Sequence, residues 1–477
     1  MSLLAAAGLL LGAVWIVLAA APPLRWPREL VLPGGNGKSC AGAARGAIIA
    51  LVPARDEAAM LPLTLPALLG QEGLEAVVLV DDASSDDTGA LARELAAAVA
   101  GEPARLEVLR LDEDPDRHPE DSNARSLGRP SGWNGKVAAQ ARGFERARER
   151  FGDFEWLLLV DADVRLRPGT LPALLEVARS QQRDLVSVMA RLRAVSFWER
   201  LLVPPFVYFF HLLYPFRLVR RDDSRVAAAA GGCVLVRVDA LERAGGFATI
   251  RDRLIDDVAL ASAVKRSGGR LWLGFDDGVE SVRAYRSLRE MWRMISRNAF
   301  VQLGFRWSLL AATLAGLAVV FVSPPLGLAL SLALSIGAGG AIGGGSGGPA
   351  GAASVAGTMD AGSPAAGITA TGSTATGITA TGITATGITA IALAAIGFAV
   401  AWLLQAVVLW PSVRHHRAGF VFAWTLPFAA ALYAAMTASS AWSYLRGSTS
   451  RWRGREYRRD DRRARPPAPK PSRRPGP

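Results

Sequence analysis

The feature that most constrains the fold is a short apolar run, Trp156–Val160, followed directly by Asp161-Ala162-Asp163. Five successive apolar residues predict a strand buried on both faces, which is typical of parallel sheets in α/β folds. In such sheets ligands bind outside the carboxyl ends of the strands, where both carboxylates would lie. Two Asp side chains two residues apart point the same way, so they can share a divalent cation with diphosphate oxygens. A solvated strand end with a helix cap is the alternative.

Around this run, residues 46–275 alternate strand and helix signals. Three earlier apolar runs predict strands, and the segments after them contain helix signals. The predicted strands are Ala47–Val52, Ala76–Val80 and Leu106–Leu111, and the predicted helices are Glu57–Leu69, an Ala- and Leu-rich segment after Thr88, and Gly135–Arg150. Residues 112–132 predict a polar loop. This alternation predicts a mainly parallel sheet with helices on both faces.

Apolar segments flank the α/β region. Residues 3–22 carry no charge over the length of a membrane-spanning helix. Because basic residues follow this run and none precedes it, we expect an uncleaved anchor over residues 1–24 rather than a signal peptide. The same charge rule places the next domain, residues 45–305, in the cytoplasm. Further apolar runs over 306–336 and 391–446 predict more spanning helices.

The number of later spans decides the side of the C-terminal tail. An even number of spans after residue 305 would leave the tail on the cytoplasmic side, which a basic tail favours. Pro324-Pro325 at the tip of a helical hairpin would give such a number. We therefore expect a hairpin there, although this count places the basic cluster Arg414–Arg417 on the opposite side.

Three other segments have compositions of their own. Phe197–Val219 is aromatic and apolar but contains a Pro-Pro break, which predicts an interfacial helix on the bilayer rather than a span. Residues 337–390 are low in complexity, and their five-residue repeat GITAT predicts a flexible insertion, with a short β-solenoid as the alternative. Residues 447–477 are rich in Arg and Pro and predict a disordered tail.

The positive charge of the chain is concentrated in this tail. The chain has 54 Lys and Arg against 42 Asp and Glu, for a net charge of +12. From Arg446 onward there are twelve Lys and Arg and three acids, so the rest of the chain is only mildly basic. A nucleic-acid partner is therefore not indicated, whereas a basic tail beside an apolar helix suits anionic lipid. Cys40 and Cys233 give neither a disulfide framework nor a metal-binding spacing.

Acidic residues also follow the other predicted strands. Glu57 follows the first strand, and Asp81-Asp82 end the second. Carboxylates buried near one another require cations or hydrogen-bond donors, so we expect these residues to share one site with the Asp pair after Val160. Asp81 or Asp82 can accept an N–H from a nucleotide base. Capping of the following helix is the alternative, although Ser85 or Asp86 can supply that cap.

Two further candidates lie at predicted helix starts. Gly132-Trp133-Asn134-Gly135-Lys136 allows close backbone approach and supplies a point charge for a phosphate, although its spacing is not that of a P-loop. A glycine turn with a solvated Lys is the alternative. Asp256 beside Asp257 raises the pKa of one member, which suits a general base that takes a hydroxyl proton. First-turn acids stabilised by the helix dipole are the alternative.

In this order and spacing, the segments VPARDE, DDASSDDT, DAD, Gly231-Gly232 and IDD resemble the inverting family 2 glycosyltransferases of the GT-A fold. Over residues 45–305 the chain resembles a particular group within this family. The segments GWNGK, AAAAGGCVLVR, residues 185–216 and residues 251–274 resemble the hopene-associated membrane glycosyltransferases of bacterial hopanoid gene clusters. The insertion at 337–390 and the basic tail lie outside this resemblance.

The resemblance implies a Rossmann-like mixed, mainly parallel sheet flanked by helices. It also implies transfer of a sugar from a nucleotide-diphosphate donor, UDP-linked, to a membrane lipid acceptor, in a multi-pass protein of the bacterial inner membrane. The roles that it implies are Asp81, Asp82 and Glu57 for the nucleotide base, Asp161 and Asp163 for Mg²⁺ or Mn²⁺ on the diphosphate, with Asp163 the more direct ligand, and Asp257 with Asp256 for the general base.

One motif departs from this family. Members that build polymers carry Q-x-x-R-W, whereas Met294-Ile-Ser-Arg297-Asn298 keeps only the arginine. A processive synthase is therefore not indicated, and Arg297, with Arg293 one turn earlier, is a candidate diphosphate contact. Two other functions stay open on the sequence alone: a haloacid-dehalogenase-like phosphatase, which also uses D-x-D after a strand, and a non-catalytic membrane scaffold.

Overall fold

A computed structural model describes residues 2–27, 30–32, 47–100, 105–112, 133–343, 385–446, 448–452 and 455–458. The polar loop over residues 113–132, the greater part of the repeat insertion (344–384) and the end of the tail (459–477) lie outside the described residues. The chain forms two compact units. One unit comprises Met1–Ile16 and Ser323–Leu403, and the other comprises Val17–Val322 and Leu404–Pro477.

The larger unit contains an eight-stranded mixed sheet in the order β3-β2-β1-β4-β7-β6-β8-β5. Its strands are β1 (Ile48–Ala54), β2 (Ala76–Asp81), β3 (Leu106–Arg110), β4 (Trp156–Val160), β5 (Val164–Leu166), β6 (Leu185–Arg191), β7 (Cys233–Arg237) and β8 (Leu271–Ser281). The pairs β1–β2, β1–β4, β2–β3 and β6–β8 are parallel, whereas β7 runs antiparallel to both β4 and β6. The predicted mixed, mainly parallel sheet is confirmed.

Helices flank the sheet and continue beyond it. The helices are α1 (Ser2–Ala20), α2 (Leu61–Leu69), α3 (Thr88–Ala100), α4 (Gly135–Phe151), α5 (Thr170–Ser180), α6 (Phe197–Leu213), α7 (Phe216–Arg220), α8 (Val238–Arg243), α9 (Asp256–Arg266), α10 (Leu288–Gln302), α11 (Trp307–Gly316), α12 (Ser323–Gly343), α13 (Ala385–His415) and α14 (Leu426–Leu445). A π-helical turn, Leu317–Val322, follows α11. Helix α2 begins at Leu61 rather than at Glu57 as predicted, so Glu57 lies in the turn after β1.

Side-chain size explains how α4 reaches the sheet. Every residue of β1, β2 and β4 is buried, as their apolar runs predict. Gly143 of α4 faces this surface, and a Cβ added there would lie 2.3 Å from Leu51 Cδ1 and 2.5 Å from Val80 Cγ2. Only a glycine permits this approach. Asn134 caps the same helix by accepting the Lys136 backbone N–H at 3.0 Å, which fixes Lys136 in the first turn.

The aromatic segment differs from its prediction. Pro204 and Pro205 do not break it, because both lie inside α6, and the break comes instead at Pro215. Proline removes hydrogen bonds from a helix interior, but neighbouring side chains can bond its backbone. Here Tyr433 Oη donates to Leu202 O at 2.9 Å, and Ser412 Oγ donates to Pro204 O at 2.9 Å. These bonds hold the proline-containing turn against Ser412 and Tyr433, whereas the carbonyls that lose their helical donors to the prolines are those of Arg200 and Leu201.

Four helical segments are long and apolar enough to cross a membrane, by length and composition, within the described ranges. They are Leu3–Ala20, Trp307–Gly337, Thr386–His415 and Phe420–Leu445. The predicted hairpin at Pro324-Pro325 is wrong, since both prolines lie inside one helical segment, Trp307–Gly337, directly after the π-helical turn. Three candidate spans, rather than an even number, therefore follow residue 305 in the described part of the chain.

Predictions for the insertion and the tail are also corrected at their described ends. Residues 337–343 continue α12, and residues 385–390 begin α13. In the tail, Ser448–Trp452 and Arg455–Arg458 form two antiparallel strands rather than disordered chain.

The smaller unit packs α1 against α13 through small residues. A Cβ at Gly8 would lie 2.6 Å from Ala394 O, and a Cβ at Gly397 would lie 2.3 Å from the Gly8 backbone. Backbones approach this closely only where side chains are absent, as in many membrane helix pairs. Within this unit the glycines therefore set the distance between the two helices.

Glu199 is expected to be the most sensitive polar residue of the fold. Its carboxylate is 1% exposed and accepts the backbone N–H groups of Val195 (2.9 Å), Ser196 (2.8 Å) and Tyr285 (2.6 Å). Glu199→Ala leaves these donors unpaired, and at about 1–3 kcal/mol for each buried donor it should destabilise the unit by roughly 3 kcal/mol or more. Thermal unfolding of the purified chain in detergent measures this loss. Glu199→Gln, which keeps one acceptor oxygen, should lose less, and equal midpoints for Glu199→Ala and wild type would contradict the assignment.

Candidate active site

The larger unit encloses a cavity of about 1020 Å³ at the carboxyl ends of the strands. Eight residues predicted from the sequence line it: Glu57, Lys136, Asp161, Asp163, Asp256, Asp257, Arg293 and Arg297. Asp81 and Asp82, the other predicted site residues, do not line it. The candidates for metal binding, phosphate binding and general-base catalysis therefore line one cavity, whereas Asp81 and Asp82, the candidates for binding the nucleotide base, do not line it.

Sheet order explains why the first carboxylates meet. Strands β2, β1 and β4 are neighbours and run parallel. Ala54 pairs with Asp81, and Leu51 pairs with Leu159, so the three strands end at one edge. Side chains that follow these strands must lie close together, as the sequence predicts.

Lys136 joins two acidic groups of the site. Its ammonium lies 2.8 Å from Asp161 Oδ1 and 3.2 Å from Asp256 Oδ2. Burial alone would lower the pKa of Lys136, but the carboxylates of Asp161 and Asp256 outweigh burial and raise it, so the residue stays charged. Gln140 Nε2 also donates to Asp256 Oδ2, at 3.4 Å. One lysine thus connects the D-x-D motif to the start of α9.

Asp257 has the environment of a general base. Its Oδ2 accepts the Gly231 N–H and its Oδ1 accepts the Val258 N–H, each at 2.7 Å. These bonds fix the carboxylate and leave a second lone pair on each oxygen. Burial, and next the charge of Asp256, raise the pKa of Asp257 to about 7. A carboxylate with this pKa can take a proton at neutral pH.

Arg283 is a site residue that the sequence did not indicate. It follows β8, and its Nε donates to Asp163 Oδ2 at 2.7 Å. Its Nη2 donates to both oxygens of Glu57, at 2.7 Å each. Ser281 Oγ adds a weaker contact to Asp163 Oδ2, at 3.3 Å. The only available signal was a basic residue directly after a strand end, which is too common to select it.

Asp81 and Asp82 lie at the end of β2, and both are fully buried. Asp81 Oδ1 accepts the Ser84 N–H at 2.8 Å, so this carboxylate closes the turn and is not left free as expected. Its Oδ2 is buried without a hydrogen-bond partner. Arg55, which lines the cavity, lies 3.6 Å from Asp82 Oδ2 and donates to Asp82 O at 2.8 Å. Arg55 therefore connects Asp82 to the cavity.

The D-x-D carboxylates fit a divalent cation in part. No group of three or more His, Cys, Asp or Glu within the described ranges is placed to hold a metal ion. Asp161 Oδ1 and Asp163 Oδ2 bind Lys136 and Arg283, which leaves one oxygen on each Asp for a cation. Magnesium and manganese accept few protein oxygens when phosphate and water complete the shell. The donor set therefore suits a cation that arrives with a diphosphate.

Apolar side chains line the remainder of the cavity. Phe209 of α6 packs against Phe321 of the π-helical turn (ring centroids 5.4 Å apart) and against Tyr433 of α14 (5.1 Å). Phe206, Leu213 and Leu317 belong to the same wall. Gln405 Nε2 donates to Phe321 O at 3.2 Å, which satisfies a carbonyl of the π-helical turn. The cavity thus combines a charged part with an aromatic part, and the aromatic part is formed by α6, the π-helical turn and α14.

Arg293 and Arg297 lie on the cavity side of α10, one turn apart. Neither guanidinium forms an ion pair with a described carboxylate. Cationic side chains that face a cavity without partners suit an anionic ligand. The structure therefore places Arg297 at the cavity, and its contact with a diphosphate stays a prediction.

Residues 49–245 match a family model described as Glycosyl transferase family 2. The matched segment runs from β1 past α8 and includes the D-x-D motif, but it ends before Asp257 and Arg283. A search of curated proteins finds no match. Together with the mixed sheet, the family match supports a family 2 glycosyltransferase and the GT-A type of fold.

Solved structures of low identity are similar to this chain. One is the mannosyltransferase PcManGT from Pyrobaculum calidifontis in complex with GDP-Man and Mn²⁺, with 17% identity, coverage of 71% of this chain and 91% of that chain, and a TM-score of 0.43. Another is glucosyl-3-phosphoglycerate synthase from Mycobacterium tuberculosis in complex with Mg²⁺ and UDP, with 16% identity, coverage of 55% and 80%, and a TM-score of 0.35. These similarities assign no residue roles in this chain.

Proposed function

We propose that this chain is an inverting, metal-dependent family 2 glycosyltransferase that moves a sugar from a nucleotide-diphosphate donor to a membrane lipid. The observation that carries the proposal is the single cavity in which the D-x-D pair, Lys136 and Asp257 meet an aromatic wall. A phosphatase of the haloacid-dehalogenase type carries D-x-D after the first strand of its domain, whereas here three strands precede β4, and Asp81-Asp82 would have no role in it. A non-catalytic scaffold gives no reason for the raised pKa of Asp257.

The chain would hold the donor by its phosphates. Lys136, whose position is fixed by the Asn134 cap, places a positive side chain beside Asp161, and Arg297 on α10 provides a second positive side chain. Asp161 and Asp163 would hold Mg²⁺ or Mn²⁺, which supplies positive charge to the diphosphate as it leaves. Positive groups placed before the reaction stabilise the charge that develops on the leaving group.

Asp257 would take the proton from the acceptor hydroxyl. Its two backbone hydrogen bonds hold the carboxylate in one orientation, and burial raises its pKa to about 7. The hydroxyl oxygen would attack the anomeric carbon from the side opposite the diphosphate. The bond to the acceptor forms as the bond to the diphosphate breaks, and this single displacement inverts the anomeric centre.

The aromatic wall supports an apolar acceptor. Phe209, Phe321 and Tyr433 come from α6, the π-helical turn and α14, and the last two lie in candidate spans. A lipid in a bilayer can place its head group at the charged part of such a cavity and its body against the aromatic part. The resemblance to hopene-associated enzymes makes a hopanoid the first acceptor to test, with a UDP-linked sugar as the first donor and the bacterial inner membrane as the expected location.

Transfer by the purified full chain tests the proposal. Radiolabelled nucleotide sugars would be supplied with Mn²⁺ and a bacterial lipid extract, and the labelled lipid product would be identified by mass. We expect a lipid-soluble product that depends on the added cation. Release of phosphate from a phosphomonoester without sugar transfer would favour the phosphatase, and the absence of either reaction with all common donors would favour the scaffold.

Activity is expected to depend on pH through Asp257. The base works only when deprotonated, so kcat/KM should rise as pH increases through about 7, the pKa that burial and Asp256 give to Asp257, and should then level off. Asp256→Asn removes a negative neighbour, so the rising limb should move to lower pH. Asp252→Asn, an exposed charge-matched control, should leave the profile in place. A limb that does not move in Asp256→Asn would contradict this assignment.

A further inference from the structure

The ion pairs of Arg283 lie largely out of solvent. The side chains of Arg283, Glu57 and Asp163 are 23%, 10% and 16% exposed, respectively. Screening by salt is weak for charges this shielded, so the contacts are not ordinary surface pairs. The planar guanidinium group has a geometry that matches both carboxylates and phosphates. The carboxylates of Glu57 and Asp163 thus occupy positions around Arg283 that phosphate oxygens could also occupy.

The backbone beside Arg283 is fixed on both sides. Val282 N–H donates to Asp163 O at 2.9 Å, and Tyr285 N–H donates to Glu199 Oε1 at 2.6 Å. The Tyr285 carbonyl also accepts Ser196 Oγ at 2.9 Å. The side chain of Arg283 can therefore change partners while its backbone stays beside the cavity.

Each aspartate of the D-x-D motif is paired with a protein cation. Lys136 holds Asp161 at 2.8 Å, and Arg283 holds Asp163 at 2.7 Å. A divalent cation that binds these carboxylates alone comes close to both positive groups and is repelled by them. A diphosphate that arrives with the cation removes this conflict, because its oxygens can accept Arg283.

We infer that Arg283 is an internal counter-cation of the metal site: it occupies Asp163 in the donor-free enzyme and moves to the diphosphate when donor and cation bind together. This inference rests on the proposed function. In this account Arg283 positions Asp163 before the donor binds and contacts the diphosphate afterwards. Its consequence is coupling, because the cation and the diphosphate must each raise the affinity of the site for the other.

Binding of Mn²⁺ to the full chain in detergent, followed by the EPR signal of free Mn²⁺, tests the inference without any transfer reaction. For Arg283→Gln we expect Mn²⁺ affinity without nucleotide to rise by at least about tenfold, since a charge at this distance shifts carboxylate affinities by that amount or more. Added UDP should then strengthen Mn²⁺ binding less than it does in wild type. Sugar transfer by the same variant should fall, so the two readouts should move in opposite directions.

Three other variants make the test specific. Glu57→Gln removes the second partner of Arg283 and leaves Asp163 as its one carboxylate, so nucleotide-free Mn²⁺ binding should weaken. Arg283→Lys keeps the charge and should stay near wild type. Arg286→Gln, an exposed arginine of the same segment, should change neither binding nor transfer. If Arg283→Gln does not fold, Arg283→Met, which removes the charge and keeps an extended side chain, is measured for the same gain in nucleotide-free Mn²⁺ affinity.

The outcomes separate this inference from the proposed function. Unchanged or weaker nucleotide-free Mn²⁺ binding in Arg283→Gln overturns the counter-cation, even if transfer is observed. The expected gain in Mn²⁺ affinity, with no transfer from any nucleotide sugar, overturns the glycosyltransferase and leaves the counter-cation in place. Mn²⁺ binding that is unchanged in Asp163→Asn would show that Asp163 is not a ligand of the cation and overturns the inference.

Discussion

Replacing Asp257 by Asn is expected to lower sugar transfer by about a thousandfold, within the range that a positioned general base contributes. Asparagine has the same shape and can still accept the Gly231 N–H, whose bond to Asp257 Oδ2 measures 2.7 Å. The fold and the nucleotide site should therefore persist, while the proton acceptor is lost. Initial rates of transfer at saturating donor, with UDP affinity measured in parallel, separate these effects.

Asp252→Asn is the matched control for this experiment. It makes the same chemical change five residues earlier, at a side chain that is 63% exposed. Its transfer rate should equal that of wild type. A rate for Asp257→Asn within about tenfold of wild type would assign the base to another residue, because only a base that is not essential costs so little.

Replacing Asp163 by Ala is expected to remove transfer to a similar or greater extent. The variant loses a ligand of the cation that supplies several kcal/mol of charge stabilisation, and each 1.36 kcal/mol is tenfold in rate, so we expect about a thousandfold loss or more. It also frees Arg283, which would then bind Glu57 alone. Excess Mn²⁺ should not restore the rate, and rates should be compared over a range of Mn²⁺ concentrations.

Asp153→Ala provides the control for that variant. Asp153 is exposed and precedes β4, at the opposite end of this strand from Asp163, and it does not line the cavity. Its rate and its Mn²⁺ dependence should match wild type. Full recovery of Asp163→Ala at high Mn²⁺ would mean that Asp161 is the principal ligand, contrary to the role given to Asp163.

The part of the site that the sequence predicts is the part that lies next to strand ends. Strand β4 is an unbroken apolar run, and the two aspartates come directly after its end. Both the strand and the motif can therefore be predicted from the local sequence. Lys136 follows from a glycine-containing turn before a helical pattern. Parallel neighbours β2 and β1 bring Glu57 to the same edge. These predictions required only periodicity and the rule for strand ends.

Contacts that depend on the order of strands could not be predicted. Arg283 is 120 residues from Asp163 and 226 from Glu57 along the chain. Its position depends on β8, which pairs with β6 on one side and with β5 on the other. Periodicity says that β8 is a strand but not which strands it joins. The antiparallel insertion of β7 between β4 and β6 was unpredictable for the same reason.

Helix interruptions were misjudged because local propensity was given too much weight. The Pro-Pro pairs in α6 and α12 suggested a break and a turn. In α6 the side chains of Tyr433 and Ser412 bond backbone carbonyls near the prolines. These donors lie more than 200 residues away in sequence. Tertiary contacts of this kind fix the backbone around the prolines, and local sequence does not reveal them.

The hydrogen bonds that tie Tyr285 to the first turn of α6 have a thermodynamic consequence. The helix that supplies Phe209 to the aromatic wall is joined, through Glu199 and Ser196, to the segment that carries Arg283. Any work that an acceptor does in displacing α6 must appear as a changed affinity for the donor. By linkage, donor binding then changes acceptor affinity by the same factor, so the two substrates are coupled through the first turn of α6.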